Sequence, residues 1–217
     1  RGRATTGTCC RTRAATERRP APAATCLIAT PNTLADVRVL RVTLRVAIVL
    51  AVVLAMVAVA TSTRSGLLWR LSTFTYQANL FAAAYYLWSL AWPRADIRVG
   101  IRGAVVLYVL IAGVIWNLFL TEHSMGYTPA NMLLHLVVPL LALTDWLLVG
   151  REQALVRWWQ PLAWLAYPAA YLALALVVLN NIGRRAPYYF LDPGTIGLAA
   201  VVGNICVLAG GALALGY

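Results

Sequence analysis

The stretch PANMLLHLVVPLLALTDWLLV, residues 129–149, is long and apolar enough to cross a lipid bilayer as a helix. It carries a single histidine, His135, close to its first end. An ionisable side chain inside a membrane span is costly to bury, and it is therefore a functional hypothesis by default. His135 is the first candidate for a functional residue in this chain.

The rest of the chain has the same apolar character. Hydrophobic residues make up 61% of the 217 residues and charged residues only 12%. Six runs reach the length of about 20 residues that a helix needs to span the hydrocarbon core. The composition predicts an all-α, polytopic integral membrane protein, a bundle of six transmembrane helices joined by short loops. The predicted spans are 39–61, 71–92, 101–120, 129–149, 156–180 and 194–215.

Residues 1–38 differ from the remainder in composition. Arg, Ala, Thr and Pro dominate this segment, and its sequence has no hydrophobic periodicity. Such a segment cannot bury a core, so we predict a disordered, basic cytoplasmic tail followed by a six-helix transmembrane domain at 39–217. The tail also lacks the apolar run of a cleavable signal peptide, so the first span is predicted to act as an uncleaved anchor.

We attribute the formal net charge of +11 to the orientation of the chain in the membrane. All 18 basic residues are arginines, and most lie in the tail or in the loops between apolar runs. We therefore predict no nucleic-acid partner. Placing the N-terminus inside puts 13 arginines on the cytoplasmic side and four on the outer side, with Arg45 inside the first span. The sequence predicts a multi-pass protein of the plasma membrane with both termini cytoplasmic.

This topology brings polar residues of different spans to one depth. At about 1.5 Å per residue, Thr75 and His135 lie roughly 8 Å and 9 Å below the outer edges of their spans. Residues two apart on a helix point about 200° apart, so only one of Thr73 and Thr75 can face His135. The face of Thr75 is small or polar, as expected where helices pack closely, which favours Thr75 and keeps Thr73 in reserve. The other members of that face are Ser72, Asn79, Ala82, Ala83 and Tyr86.

The fourth span is expected to open locally at the histidine. Asn131 and Pro139 lie four residues before and after His135, so all three share one side of the helix. Pro139 has no N–H to offer the carbonyl of His135. We expect a bend there and a free carbonyl that a neighbouring group or water must satisfy.

Threonine and histidine together form a minimal acyl-transfer pair. A threonine hydroxyl becomes nucleophilic when a base takes its proton, and a neutral imidazole suits that task. The amides of Asn131, Asn79 or Asn181 are candidates for stabilising an oxyanion. A structural interpretation stays open, in which the threonine bonds to its own helix and the histidine bridges two helices.

The sequence has no pattern that indicates a catalytic triad, a metal site or a cofactor site. His123 is predicted to be solvated in a loop, and Asp145 lies about 15 Å along the helix from His135, too far for a direct triad. A salt bridge between Asp145 and a cytoplasmic-side arginine is expected instead. The chain has neither a zinc-ligand spacing, nor a phosphate-binding glycine loop, nor a serine elbow, so no metal and no cofactor is predicted.

Three motifs resemble one known family. Trp69-Arg-Leu-Ser-Thr-Phe-Thr-Tyr-Gln-Ala-Asn79, the run 131–135 with Pro139, and Tyr188-Tyr-Phe-Leu-Asp-Pro193 look like the androgen-induced-gene family of multispanning membrane proteins, especially its bacterial branch. The similarity runs in order from about residue 40 to the end. Animal members of that family are threonine hydrolases that cleave fatty acid esters of hydroxy fatty acids.

The resemblance also implies site residues. It puts the family's histidine on His135 and its asparagine on Asn131. Alignment on Trp69-Arg70 puts the family's threonine on Thr73, whereas alignment on the Phe-Thr pair and Asn79 puts it on Thr75. The segment that contains Tyr188 matches as well, and its aromatic side chains are expected to line the path of a substrate at the outer interface.

The sequence therefore supports two functions of different classes. The first is an integral membrane hydrolase that cleaves fatty acyl esters with a Thr nucleophile and a His base in the outer half of the bilayer, with membrane lipids as partners. The alternative is a transporter or sensor that uses His135 as a proton or ligand site. A third hypothesis is a structural protein that binds no ligand, which the histidine inside a span disfavours. Ester turnover without transport separates the first from the second.

Overall fold

The structure is a computed structural model that describes residues 31–62, 70–92, 98–121, 126–149, 155–179 and 188–217. All regular secondary structure in these ranges is helical. The long helices are α1 (Pro31–Ser62), α2 (Phe74–Ala91), α3 (Val99–Leu120), α4 (Pro129–Val149) and α6 (Leu198–Gly216). Helix α5 comprises Gln160–Trp164, Ala166–Ala173 and a wide turn at Leu174–Leu179, and two short helical turns, Tyr189–Leu191 and Pro193–Ile196, precede α6.

Helix α1 begins eight residues before the predicted first span, at Pro31. The prediction of disorder is therefore wrong for residues 31–38. Proline favours the first turn of a helix because its fixed φ angle suits that turn and its missing N–H is not needed there. Neither glycine nor a second proline follows before Ser62, so the helix continues into the apolar run without a break. Residues 1–30 of the predicted tail lie outside the described residues.

Within the described residues, five helices are long and apolar enough to cross a membrane, namely Ala35–Thr61, Val99–Leu120, Pro129–Val149, Gln160–Val177 and Leu198–Gly216. The chain is thus an all-α, multi-pass membrane protein. Helix α2, the remaining predicted span, is less hydrophobic chiefly because it carries Gln77, Asn79 and three tyrosines. Gln77 is half-buried, and its amide bonds to the carbonyl of Leu71 and to the hydroxyl of Tyr167. The other polar side chains of α2 are those of Thr75, Asn79 and Ser89. These three side chains are buried against neighbouring helices, where lipid does not reach them.

The first four helices form a ring around a common core. Helix α2 packs against α1 and α3, and α4 packs against the same two helices from the other side. Helix α5 and helix α6 flank α3, and α6 also contacts the first turns of α5. At the level of His135 the ring narrows, and α2 contacts α4 directly. The candidate site lies at this contact.

A buried ion cluster ties the ring together at the opposite end of α4. The carboxylate of Asp145, which is fully buried, accepts hydrogen bonds from Arg102 of α3 at 2.6 Å and from Arg45 of α1 at 3.4 Å. The guanidinium of Arg102 also lies over the ring of Trp146, 5.7 Å from its centroid. The predicted salt bridge of Asp145 is confirmed, and Arg45 inside the first span is its second partner.

Candidate active site

Helix α4 widens at the histidine. Residues Leu133–Val137 form a π-helical turn, in which the N–H of Val138 donates to the carbonyl of Leu133. In a regular α-helix that N–H would bond to Leu134, and residue 139 would bond to His135. Since residue 139 is a proline, the carbonyls of Leu134 and His135 both lose their usual helical donor.

Two asparagine side chains from neighbouring helices supply the missing donors. The amide of Asn79 on α2 donates to the carbonyl of Leu134 at 3.3 Å and to the carbonyl of Thr75 at 2.9 Å. The amide of Asn117 on α3 donates to the carbonyl of His135 at 3.3 Å. The expected free carbonyl is therefore present and is satisfied by a neighbouring helix. Three helices are joined at the backbone of the histidine.

A glycine permits this close approach of α3 to α4. A Cβ atom on Gly113 would lie 2.8 Å from the carbonyl oxygen of His135 and 3.1 Å from Cγ of Pro139. Real Cβ atoms do not come so close to a backbone oxygen, so only glycine fits at this crossing. Asn117 is one helical turn further along α3, within reach of the same carbonyl.

The contacts of His135 fix its tautomer. Its Nδ1 lies 3.0 Å from the backbone carbonyl of Asn131, which can only accept a hydrogen bond. In the neutral ring Nδ1 must therefore carry the proton, and Nε2 carries a lone pair. Nε2 lies 3.2 Å from the hydroxyl oxygen of Thr75. The ring stacks on Trp116 with a centroid distance of 4.8 Å and an interplanar angle of 20°, which holds its orientation.

The structure distinguishes the two candidate threonines. Thr75, in the first turn of α2, donates its hydroxyl to His135, and both side chains are buried. Thr73 precedes the helix, and its hydroxyl donates to the carbonyl of Arg70 at 2.9 Å. The predicted meeting of Thr75 with His135 is thus present, whereas Thr73 makes a local bond within its own turn.

Of the other predicted site residues, some hold neighbouring helices together and some line a cavity. Both N–H groups of the Asn79 amide are used on backbone carbonyls, so this side chain is a bridge between α2 and α4. The amide of Asn131 donates to the carbonyl of Gly126 at 2.8 Å, while its own backbone carbonyl orients His135. Tyr188 is buried beside Thr75 and lines the site. Asn181 and His123 lie outside the described residues.

Thr75 lies where two cavities meet. One is a polar pocket of about 150 Å³, which also contacts His135 and Arg70. The other is an apolar cavity of about 210 Å³ between α3, α5 and α6. Thr75 and Tyr188 line both. A molecule with a polar part and a hydrocarbon part would place its junction at the hydroxyl of Thr75.

Sequence reasoning missed several residues of this site. The sequence contains 8 tryptophans, and each of them could equally lie at the membrane interface. Nothing in the sequence therefore indicates that Trp116 stacks on His135. Asn117 is a polar residue near the outer end of the third predicted span, but the sequence does not show its partner. Arg70 was assigned to topology alone, although it lines the polar pocket.

Comparison with known proteins adds no assignment. No family model matches the chain, and no curated protein or solved structure is significantly similar to it. The resemblance to the androgen-induced-gene family therefore rests on the motifs quoted above.

The approach of α3 to α4 is tested by a pair of glycine substitutions. We expect Gly113→Ala to lower the free energy of unfolding by about 1–3 kcal/mol, because the new methyl group forces the two helices apart. Gly203→Ala in α6 is the matched control. A Cβ atom there has open space around it, and we expect no loss or a gain of up to about 1 kcal/mol from helix propensity. Equal stability of both variants in detergent unfolding titrations would contradict the close crossing.

Proposed function

We propose that this protein is a membrane hydrolase of fatty acyl esters, with Thr75 as nucleophile and His135 as general base. The observation that carries the proposal is the 3.2 Å contact between the Thr75 hydroxyl and Nε2 of His135, in a ring whose Nδ1 is held by the Asn131 carbonyl. This arrangement has the features of an activated nucleophile: hydroxyl, base, and a third group that orients the base.

The reaction proceeds in two balanced steps. The oxygen of Thr75 attacks the ester carbonyl while His135 takes the hydroxyl proton. The tetrahedral intermediate then expels the alcohol, which receives that proton from His135, and an acyl-threonine remains. In the second step His135 takes a proton from water, the resulting hydroxide attacks the acyl group, and the proton returns to the oxygen of Thr75 as the fatty acid leaves.

Tyr188 is the best placed donor for the developing oxyanion. Its phenol lies beside the Thr75 side chain, and burial raises its pKa well above the usual value, so it stays protonated as a donor. Asn131 lines the same polar pocket and has one amide N–H bound to Gly126, which leaves its second N–H as a further donor. Asn79 is excluded from this task because both of its amide N–H groups are engaged.

The two cavities support the proposed substrate class. The apolar cavity suits the hydrocarbon chain of a fatty acyl group, and the polar pocket suits the alcohol part. The resemblance to the androgen-induced-gene family supports this class, because animal members of that family cleave fatty acid esters of hydroxy fatty acids. A lipid ester can reach such a site sideways from the bilayer.

A transporter or sensor is less well supported by the packing. The polar cluster at His135 and the ion cluster at Asp145 lie on the same side of α4. Between them the fully buried side chains of Val138 and Ala142 fill that side of the helix. Apolar packing of this kind interrupts a polar path along this face of α4.

The proposal includes the location of the protein. Six helices cross the plasma membrane, α2 among them, and both termini are cytoplasmic. The burial of α2 within the ring supports its assignment as a span, because its polar side chains are shielded from lipid. The Thr75–His135 contact then lies in the outer half of the bilayer.

This topology is tested by single cysteines at or near the ends of the helices. In a background without the four native cysteines, we expect Thr61→Cys and Tyr127→Cys to react with an impermeant maleimide in intact cells. Arg98→Cys and Leu155→Cys should react only after permeabilisation. Since α2 lies between residues 61 and 98, labelling of both from the same side would show that α2 does not span.

The catalytic pair is tested with a fluorophosphonate probe on purified protein. We expect Thr75→Ala to abolish labelling and His135→Ala to slow it by about 10²–10⁴-fold, because the hydroxyl then lacks its base. Mass spectrometry should locate the probe on Thr75.

Two variants serve as controls in that experiment. Thr75→Ser keeps a hydroxyl and should retain labelling. Thr73 also lines the polar pocket, but its hydroxyl bonds to the carbonyl of Arg70 and not to His135, so Thr73→Ala should retain labelling at Thr75. A folded wild-type protein that stays unlabelled, or labelling that survives in Thr75→Ala, would overturn the assignment of the nucleophile.

A further inference from the structure

The apolar cavity has a reactive end and a distant end. At the reactive end it is lined by Thr75 and Tyr188. From there it follows α6 from Ile205 to Ala212, seven residues that cover about 10 Å of helix at 1.5 Å each. On the opposite wall it follows α5 back from Leu172 to Leu165, the same distance. The cavity is therefore an elongated slot that leads away from the nucleophile.

The distant end of the slot is closed. There the last turn of α6 lies against the first turn of α5, and a Cβ atom on Gly216 would lie 3.1 Å from Cβ of Pro161. The hydroxyl of Tyr217 donates to the carbonyl of Trp158 at 2.7 Å, which ties the end of α6 to the segment before α5. Ala212 is buried just before this closure and lines the slot.

One side of the slot is open. Ala169 on α5 and Ala209 on α6 both line the slot and are exposed on the surface of their helices. Both residues lie in helices that are long and apolar enough to cross a membrane, so an opening between these two small side chains would face hydrocarbon. A chain can therefore enter laterally from the bilayer, while its length is limited by the closed end.

We propose that the slot is an acyl-chain site of fixed length, and that Ala212 together with Leu165 at its closed end determines the longest chain that fits. The inference rests on the proposed function, since it assigns the acyl half of the ester to this slot and the alcohol half to the polar pocket. Ala212 is small and wholly within the packed region, so a larger side chain at this position shortens the slot from its far end. Leu165 is the larger of the two, so its truncation lengthens the slot.

The site is tested by binding, independently of turnover. Binding of butyrate, octanoate and palmitate is measured by isothermal titration calorimetry on purified Thr75→Ala protein, which cannot form an acyl-threonine. In this background we expect Ala212→Phe to weaken the binding of octanoate by about tenfold or more, the loss expected when roughly two methylene groups lose an apolar site. Binding of butyrate should not change.

Two further variants make the test decisive. Ala214→Phe places the same side chain two residues further along α6, on an exposed surface, and should leave the binding of every chain length unchanged. Leu165→Ala should shift the preference toward longer chains, and it keeps the test valid if Ala212→Phe fails to fold. Unchanged chain-length preference in folded Ala212→Phe and in Leu165→Ala would overturn the inference.

Hydrolysis of p-nitrophenyl butyrate, octanoate and palmitate separates this inference from the proposed function. Chain-length effects on binding without ester cleavage by the Thr75 protein would support the slot and refute the hydrolase. Cleavage that depends on Thr75, with the same chain preference in wild type and Ala212→Phe, would support the hydrolase and refute the slot.

Discussion

The packing of the helices around His135 depends on Pro139, which has no backbone N–H to donate. A helix that crosses lipid must satisfy its backbone polar groups internally, and α4 cannot do so at Leu134 and His135. The amides of Asn79 and Asn117 provide the donors, and in doing so they bring α2 and α3 to the histidine. An unsatisfied backbone carbonyl in a membrane costs several kcal/mol, so this constraint is strong enough to determine which helices meet there.

The chemistry of the site follows from the same opening. The carbonyl of Asn131, four residues before His135, accepts a hydrogen bond from the ring of His135, so Nε2 is left with a lone pair toward Thr75. The stacking of Trp116 restricts the ring further. At the other end of α4, Asp145 bonds to Arg45 and Arg102 and links the same helices a second time. The ring of helices is thus fixed at two levels, and Thr75, the proposed nucleophile, lies between a polar pocket and an apolar slot at one of them.

Much of this arrangement could be predicted from the sequence, because it follows from periodicity and depth. Thr75 and His135 were placed at one level by counting residues, and the small polar face of α2 selected Thr75 over Thr73. The proline rule predicted a free carbonyl at His135. The polar composition of α2 does not conflict with its place among the helices, because Thr75, Asn79 and Ser89 are buried and the half-buried Gln77 is hydrogen-bonded to Tyr167.

The remaining features depend on contacts between distant parts of the chain. Asn79 was a candidate for an oxyanion donor, yet its amide bonds to Leu134, because the π-helical turn frees a carbonyl that sequence alone does not show. The start of α1 at Pro31 was missed because composition outweighed the helix-starting preference of proline. The apolar slot arises from the separation of α5 and α6, which no local pattern encodes.

The most direct test of this account is the tautomer of His135, measured by ¹⁵N NMR of histidine-labelled protein in detergent micelles. The chain has only 2 histidines, so His123→Gln assigns the spectrum. The account predicts a neutral ring with the proton on Nδ1 and an unprotonated Nε2 that shifts on Thr75→Ala. A ring protonated on Nε2, or an Nε2 signal that does not respond to Thr75→Ala, would contradict the proposed base and nucleophile.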